Sequence, residues 1–497
     1  MIIRDISQFH ENPRLVAWVQ TPMGRLSIWI VAMILWLPTK LTFLLPLFLG
    51  LVMIWPERRW LIVWLTAPLV ALKIFVGKDR DLLRDDALFA SFLDLLPAVL
   101  VALAIVLLCV AAARNFERLP RFVRKHPVLT LHLLTWSVIL LYWQVFSTGA
   151  EETVWATLVL GLLPYLVWRC CYIMLSGQRG SAKQSSFADH LFYALPVFGG
   201  TNVPYGKGYD YLRRCWAADP ESLARSQLAG IKLIILFLLW DVTRQLIIAV
   251  ANGDFRGYFR FANDYQIAET FNLGIPRLGD LVAISDTLAS SLPNAWMSLF
   301  LELILATLSI AIAGHAIIGW LRLFGFNVFR NTYKPLLAES IVEFWNRFYY
   351  YFKELLVEFF FYPVYSRYFR SHQRLRIFAA VFAAACLGNI YYHVLRDFGG
   401  LYQMSLAEAL ESMGPRAFYT LLLALGIYFS MLAQTRKRGG AQDAVDHWWE
   451  PVNRVRRIAG VWLFFALINI WNVSSSGSDF GSRTAFFFSL FGMDIQF

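Results

Sequence analysis

"GHAIIGWLRLFGFNVFRNTYKPLLAESIVEFW" occupies residues 314–345, and how it is read decides the fold. It begins inside an apolar run, 294–321, which is long enough to span a bilayer. A hydrocarbon core about 30 Å thick needs about 20 apolar helical residues. A basic loop, 322–340, follows. The stretch then enters "SIVEFWNRFYYYFKELLVEFFFYPVY" (340–365), which is helical by composition yet carries Glu343, Arg347, Lys353, Glu354 and Glu358. At about 100° per residue, Glu343, Arg347, Glu354 and Glu358 share an arc of roughly 60°, with Asn346 and Tyr350 at its border. A lipid-facing helix does not hold four charges at membrane depth. Two readings follow. The segment is a re-entrant or tilted helix whose polar face looks into protein or a water-filled cavity. Alternatively, it lies at the cytoplasmic interface and its Glu and Arg residues pair with one another.

Working outward, the whole chain is apolar. Of its 497 residues 58% are hydrophobic and only 16% are charged, with a mean hydropathy of +0.52. Soluble proteins carry about 25% charged residues. Phe (41), Tyr (21) and Trp (19) are abundant, as aromatic belts at two membrane interfaces require. The long uncharged runs do not alternate apolar and polar residues, which excludes a β-barrel. The expected class is an all-α, polytopic membrane protein. The net charge of +11 would suit a nucleic-acid partner. However, the positive charge sits in loops between spans, so nucleic acid is not expected. The cysteines, Cys109, Cys170, Cys171, Cys215 and Cys386, form no C-x-x-C pair and read as apolar fillers. The histidines His126, His132, His190, His372 and His447 show no ligand spacing, and no metal site is expected. The N-terminus shows no cleaved signal peptide and reads as an interfacial helix.

Apolar runs lie at 27–55 (a hairpin broken at Pro38), 60–76, 87–113, 128–148, 153–175, 228–251, 294–321, 376–396, 416–434 and 458–473, with a short tail, "TAFFFSLFG". They predict about ten or eleven membrane spans by the length rule. Lys and Arg concentrate in 114–127, 177–227, 322–340, 366–376 and 435–457, which places these loops in the cytoplasm and 252–293 and 397–415 outside. In "LLWDVTRQL", Asp241 and Arg244 are three apart on one helix and are expected to neutralise each other.

The stretch 314–345 resembles the membrane-bound O-acyltransferases, in particular the bacterial branch of alginate acetylases and the teichoic-acid D-alanyl transferase. The resemblance rests on Gly319 before "RLFGF" (Arg322 to Phe326), then Asn331, Pro335, Ala338 and "SI-x-EFW" (Ser340 to Trp345). Upstream, "ADHLFYALPVFGGTNVPY" (188–205) is similar to the family's cytoplasmic segment, with Gly199, Gly200, Val203 and Pro204 as a partial match to its Gly-Pro turn. The likeness covers about 185–400, which gives one membrane domain over 1–497: N-terminal helices 1–184, a family-like core 185–400 and C-terminal helices 401–497.

The resemblance implies a fold, a reaction and a site. The family moves an acyl group from a thioester to a hydroxyl. The position of its near-universal histidine is His393 in this sequence, in "NIYYHVL". The family's second polar position, five residues after Phe344, is a tyrosine here, Tyr349, which departs from the usual His or Asn. A general base with a pKa near neutrality suits the removal of a proton from an attacking hydroxyl. That is the role implied for His393. Tyr349, or Asn346 one turn earlier, would orient the acceptor or stabilise the oxyanion. Asn389, at i−4 from His393, would fix its tautomer. Arg396 and Asp397 would close the site or mark the interface. His315, where relatives often carry an acid, is an orienting candidate. Plainer readings stand beside these. His393 could be an interfacial histidine, Tyr349 and its neighbours aromatic packing, and His315 a structural hydrogen-bonding group.

No bound cofactor is expected. The implied co-substrate is an acyl thioester, acetyl-CoA or an acyl-carrier protein, reaching the site from the cytoplasm. The acceptor is a hydroxyl on an exported polysaccharide, cell-envelope glycan or lipid. The implied location is the bacterial cytoplasmic membrane, among its lipids, with a periplasmic or extracellular partner protein as relatives often have. Two alternatives are an inactive relative serving as a scaffold or transport component, and an ion-coupled transporter using the charged face of 340–365.

Overall fold

A computed structural model of the protein describes residues 8–39, 44–65, 88–147, 154–194, 203–253, 272–283, 291–401, 404–439, 449–475, 478–493 and 495. Among them the secondary structure is helical, and an isolated β-bridge joins Trp216 and Phe326. Four described helices are long and apolar enough to cross a membrane: Pro220–Asn252, Leu292–Leu323, Gln373–Phe398 and Leu406–Thr435. A fifth candidate is the pair Pro13–Val19 and Pro22–Trp36, bent by 94°. Leu44–Ile54 is apolar but shorter, and within the longer helices Leu88–Arg114 and Pro127–Ser147 the described side chains give the apolar stretches Leu100–Arg114 and Pro127–Leu141. Parts of the expected spans 60–76, 87–113 and 153–175, and residues 195–202 of the upstream segment with Gly199 and Gly200, lie outside the described residues or their described side chains. The apolar tail is a helix of 10 residues, Phe480–Ser489, about half the length of a span.

The chain divides into two compact units. The first comprises Met1–Ile235, Ala316–Phe329 and Leu395–Tyr402. In it Leu88–Arg114 and Val154–Gln178 pack around Val106, Val110, Leu166 and Ile173. Trp60 sits among Phe192, Trp216 and Phe326, at ring-centroid distances of 4.9, 5.2 and 5.7 Å. Phe326 ends the "RLFGF" motif, and the structure explains its letters as a turn. Gly325 has φ of 96°, a conformation open to glycine. Arg322 donates from Nε and Nη2 to the Val328 carbonyl at 3.0 and 2.8 Å. The Phe326 ring is fully buried among the tryptophans. Arg396 and Asp397 belong to this unit and pair with each other at 2.7 Å.

The second unit comprises Leu236–His315, Arg330–Val394 and Gln403–Phe497. Its core gathers Leu299, Ala338, Phe344, Leu423, Ala466 and Ile470. Phe344 of the "EFW" motif stacks on Phe465 at 3.9 Å, so this letter of the motif is a core residue. Ser340 caps the helix Ile341–Phe348 by accepting from the Glu343 amide at 3.2 Å, a cap typical of serine. The expected pair Asp241–Arg244 is replaced by a bond one turn along: Gln245 Nε2 donates to Asp241 at 2.5 Å. At i,i+4 the amide reaches the carboxylate directly, which the i,i+3 guanidinium does not do here.

Glu339 anchors the loop before that helix. It accepts from Arg457 at 2.7 Å and from Arg454 at 3.0 Å. The hydrogen bond from Arg457 first, then the charges of Arg457 and Arg454, hold its carboxyl below its ordinary range. A carboxyl lowered by folding stabilises above its unfolded pKa, about 4.3, and loses that stabilisation as pH falls through the folded value. Glu339→Gln is therefore expected to flatten the fall in melting temperature between about pH 5 and 3. Near neutrality its cost is under about 1 kcal/mol, because the pair is partly exposed and screened.

Candidate active site

The segment 340–365 is not one helix. It is Ile341–Phe348, Tyr350–Leu356, a π-helical turn Val357–Phe361 and Tyr362–Arg367. The break falls at Tyr349, whose φ and ψ are −140° and 79°. A break orphans carbonyls on one side and amides on the other. Residues 331–333 of "RNTY" satisfy both. The Tyr333 amide donates to the Arg347 carbonyl at 2.8 Å, and Thr332 Oγ1 donates to the Phe348 carbonyl at 3.0 Å. Across the break, the Tyr350 amide donates to the Asn331 carbonyl at 2.9 Å, and the Tyr351 amide to Asn331 Oδ1 at 3.4 Å. Asn331 and Thr332 are both buried to do this.

The break undoes the single charged arc expected for 340–365, because helical phase is lost at Tyr349. Charges instead pair locally, Arg347 with Glu343 one turn back at 2.5 Å and Lys353 with Glu354. Of these, Arg347 with Glu343 is a Glu–Arg pair of the kind that the self-pairing alternative expects. Asn346 is exposed and makes no side-chain hydrogen bond among the described residues. Tyr349 is half-buried at the junction of the two helices.

His393 lies on Asn389–Leu401, directly after a second π-helical turn, Phe382–Gly388. Such turns are rare and recur at functional sites. This one packs against the π-helical turn Val357–Phe361, with Phe360 against Gly388: a Cβ on Gly388 would stand 2.8 Å from Phe360 Cδ2. His393 is 9% exposed and Asn389 1%. The expected bond from Asn389 to the imidazole is not formed. Asn389 Oδ1 is buried and accepts no hydrogen bond. Aromatic rings link His393 towards Tyr349. Tyr392 meets His393 edge-on at 5.7 Å, Phe352 meets Tyr392 at 4.6 Å, and Tyr349 meets Phe352 at 5.5 Å. Phe352 and Tyr392 thus stand on the ring path between the two candidates.

His315 has defined partners of its own. Its Nδ1 donates to the Ala311 carbonyl, which leaves Nε2 to accept from Arg330 Nη2 at 3.5 Å. Gly314 permits this approach of helix and loop, since a Cβ there would stand 2.9 Å from Asn331 Cβ. Sequence reasoning passed over Arg330, Asn331's role at the break and both π-helical turns. Among the described residues no three His, Cys, Asp or Glu side chains gather as metal ligands do.

Among the described residues, fold and composition define a helical protein with four helices long and apolar enough to cross a membrane. No family model and no curated protein matches the chain.

Proposed function

We propose that the protein is a membrane-bound O-acyltransferase that moves a short acyl group, acetyl or similar, from a thioester to a hydroxyl of an exported polysaccharide or cell-envelope glycan. The supporting observation is the pairing of His393 with Asn389 on one buried helix, where Asn389 Oδ1 has no donor. A buried acceptor without a donor calls for an explanation. The hydroxyl of an incoming acceptor supplies one. In this reading one hydroxyl of the incoming acceptor donates to Asn389 Oδ1 and seats the molecule, and a neighbouring hydroxyl gives its proton to His393 as its oxygen attacks the thioester carbon. A C–O bond forms, the C–S bond breaks, and the proton passes from His393 to the departing thiolate. Tyr349 sits beyond Phe352 and Tyr392 and acts on the shape of the site; its hydroxyl is not required for proton transfer.

The donor is acetyl-CoA or an acyl-carrier protein on the cytoplasmic side. His393 lies 20 residues past Gln373, about 30 Å along the helix from its cytoplasmic end under the charge rule. The acceptor then enters from the outer side. The protein works in the bacterial cytoplasmic membrane, with a periplasmic or extracellular partner delivering the glycan.

A second reading is favoured by Tyr349 itself: a relative that keeps the fold without the chemistry. Thiol release from acetyl-CoA that depends on added glycan separates the two. We expect such release from the purified protein, and Tyr349→Phe should retain it within about threefold, as for a group outside the proton transfer. Release absent from the wild type with every thioester tried favours the inactive relative.

A further inference from the structure

A narrow apolar groove of about 400 Å³ runs between Leu88–Arg114, Pro127–Ser147 and Val154–Gln178 in the first unit. Its mouth is formed by Leu119, Val123 and Pro127, in the basic loop 114–127 that joins the first of these helices to the second. Gln178, the last residue of the third helix, reaches the same loop and donates to the Arg124 carbonyl at 3.5 Å. From Pro127 the groove extends to Val138, about 16 Å along the helix. That is the depth of one leaflet, half of a hydrocarbon core about 30 Å thick. The floor is packed protein, with Cys109, Leu166, Cys170 and Met174 buried. The rim is open, with Leu108 70% and Leu134 58% exposed. Among the described residues no charged side chain lines the groove. Its two hydroxyls are already spent: Thr130 donates to the His126 carbonyl and Thr135 to the Leu131 carbonyl, each at 2.9 Å. The Cys109 thiol donates to the Cys170 carbonyl at 3.5 Å. The lining therefore selects an apolar occupant. A helix of the same length, about 10 Å across, needs about three times the volume, so the groove takes a single hydrocarbon chain.

We infer that this groove holds one acyl chain of a phospholipid whose anionic headgroup sits at Arg118 and Arg124. Arg118 precedes Leu119 and Arg124 follows Val123, so each arginine has its Cα about 3.8 Å from that of a residue of the mouth. Both side chains are exposed. An arginine lays its apolar stem on such a surface and keeps its charge in water, where the planar guanidinium fork matches a phosphate. The loop's one acid, Glu117, is already engaged by Lys183 at 2.9 Å. That hydrogen bond first, and then the charges of Lys183 and Arg124, hold the Glu117 carboxyl below its ordinary range, which places Arg124 at the same end of the groove as residues 117 and 118. Phe122, 53% exposed beside Val123, stands where an aromatic ring marks a headgroup boundary. An apolar chain alone would choose no headgroup, and exposed arginines alone would gain little from a free phosphate. The groove fixes the position and the arginines fix the charge.

The test uses the full-length protein in neutral detergent, titrated with phosphatidylglycerol or with phosphatidylcholine of the same acyl chains. Native mass spectrometry counts the lipids retained. One phosphatidylglycerol should be held more tightly than those that follow it, and more tightly than phosphatidylcholine. Arg118→Gln combined with Arg124→Gln should lower that headgroup preference about tenfold or more, since each basic residue near an anionic headgroup contributes about fivefold. Both side chains are exposed, so the fold should stand. Leu134→Trp, which narrows the rim, should lower retention of both lipids severalfold. Ala112→Leu, at another lining position, carries this arm if Leu134→Trp does not fold. A headgroup preference that the arginine variant loses but neither groove variant touches would show surface charge alone and overturn the site. A wild type that takes up both lipids in equal, unselective steps would overturn it as well. So would a stable dimer that excludes lipid, which would assign the groove to a second copy. The readout is binding, so it is independent of acyl transfer.

Discussion

Replacing His393 with Ala lowers the rate of acyl transfer by about 10²–10⁴-fold, the range for losing a positioned general base. The effect falls on kcat, because the imidazole acts on the proton in flight and not on thioester binding. The thioester KM should move by less than about threefold. The rate is read per folded molecule, so that any cost of truncating this buried ring to the melting temperature is separated from the loss of chemistry. Asn389→Ala is the companion variant. It removes the acceptor that the reading assigns to the incoming hydroxyl, so it should raise the acceptor KM. Equal rates for wild type and His393→Ala, with both proteins folded, would remove His393 from the chemistry.

Gly388→Val strikes the support of the same residue. The added Cβ would stand 2.8 and 2.9 Å from Phe360 Cδ2 and Cγ and 3.1 Å from Leu356 Cδ2. Phe360 belongs to the opposing π-helical turn and has packed neighbours, including Tyr391 at 6.2 Å. The ring must move, and overpacking of this kind costs about 1–3 kcal/mol. Gly388→Ala should cost less than the valine, because it adds one carbon to the clash and not three. Asn389 follows Gly388 directly, so transfer should fall further than the loss of folded protein explains. Thermal unfolding in detergent, set beside activity per folded molecule, separates the two effects. An unchanged melting temperature would show that the two π-helical turns do not pack as described.

Sequence reasoning reached the helices and stopped at their interruptions. Apolar runs such as 228–251 and 294–321 became the helices Pro220–Asn252 and Leu292–Leu323, because a 20-residue apolar run has few other ways to satisfy its backbone. His393 and Asn389 could be placed on one buried face from the i,i+4 rule alone. The break at Tyr349 could not. It depends on Asn331 and Thr332, distant in sequence, replacing the missing helical bonds, and "FYYYF" carries no glycine or proline to announce it. The phase argument over 340–365 failed for this reason. The π-helical turns were equally hidden, although Gly388 amid "AACLGN" was a signal of close packing. Arg330 was read only as loop charge, because sequence gives the sign of a side chain and not that it reaches His315.

Label transfer across a sealed membrane tests the central claim most directly. Wild-type protein is placed in proteoliposomes with an isotope-labelled acyl thioester on the side of residues 322–340 and a glycan acceptor on the other. We predict labelled O-acyl ester on the glycan, formed only when both substrates are present and lost in His393→Ala. Intact thioester and unlabelled glycan, across the thioester donors and glycans tried with folded protein, would contradict it.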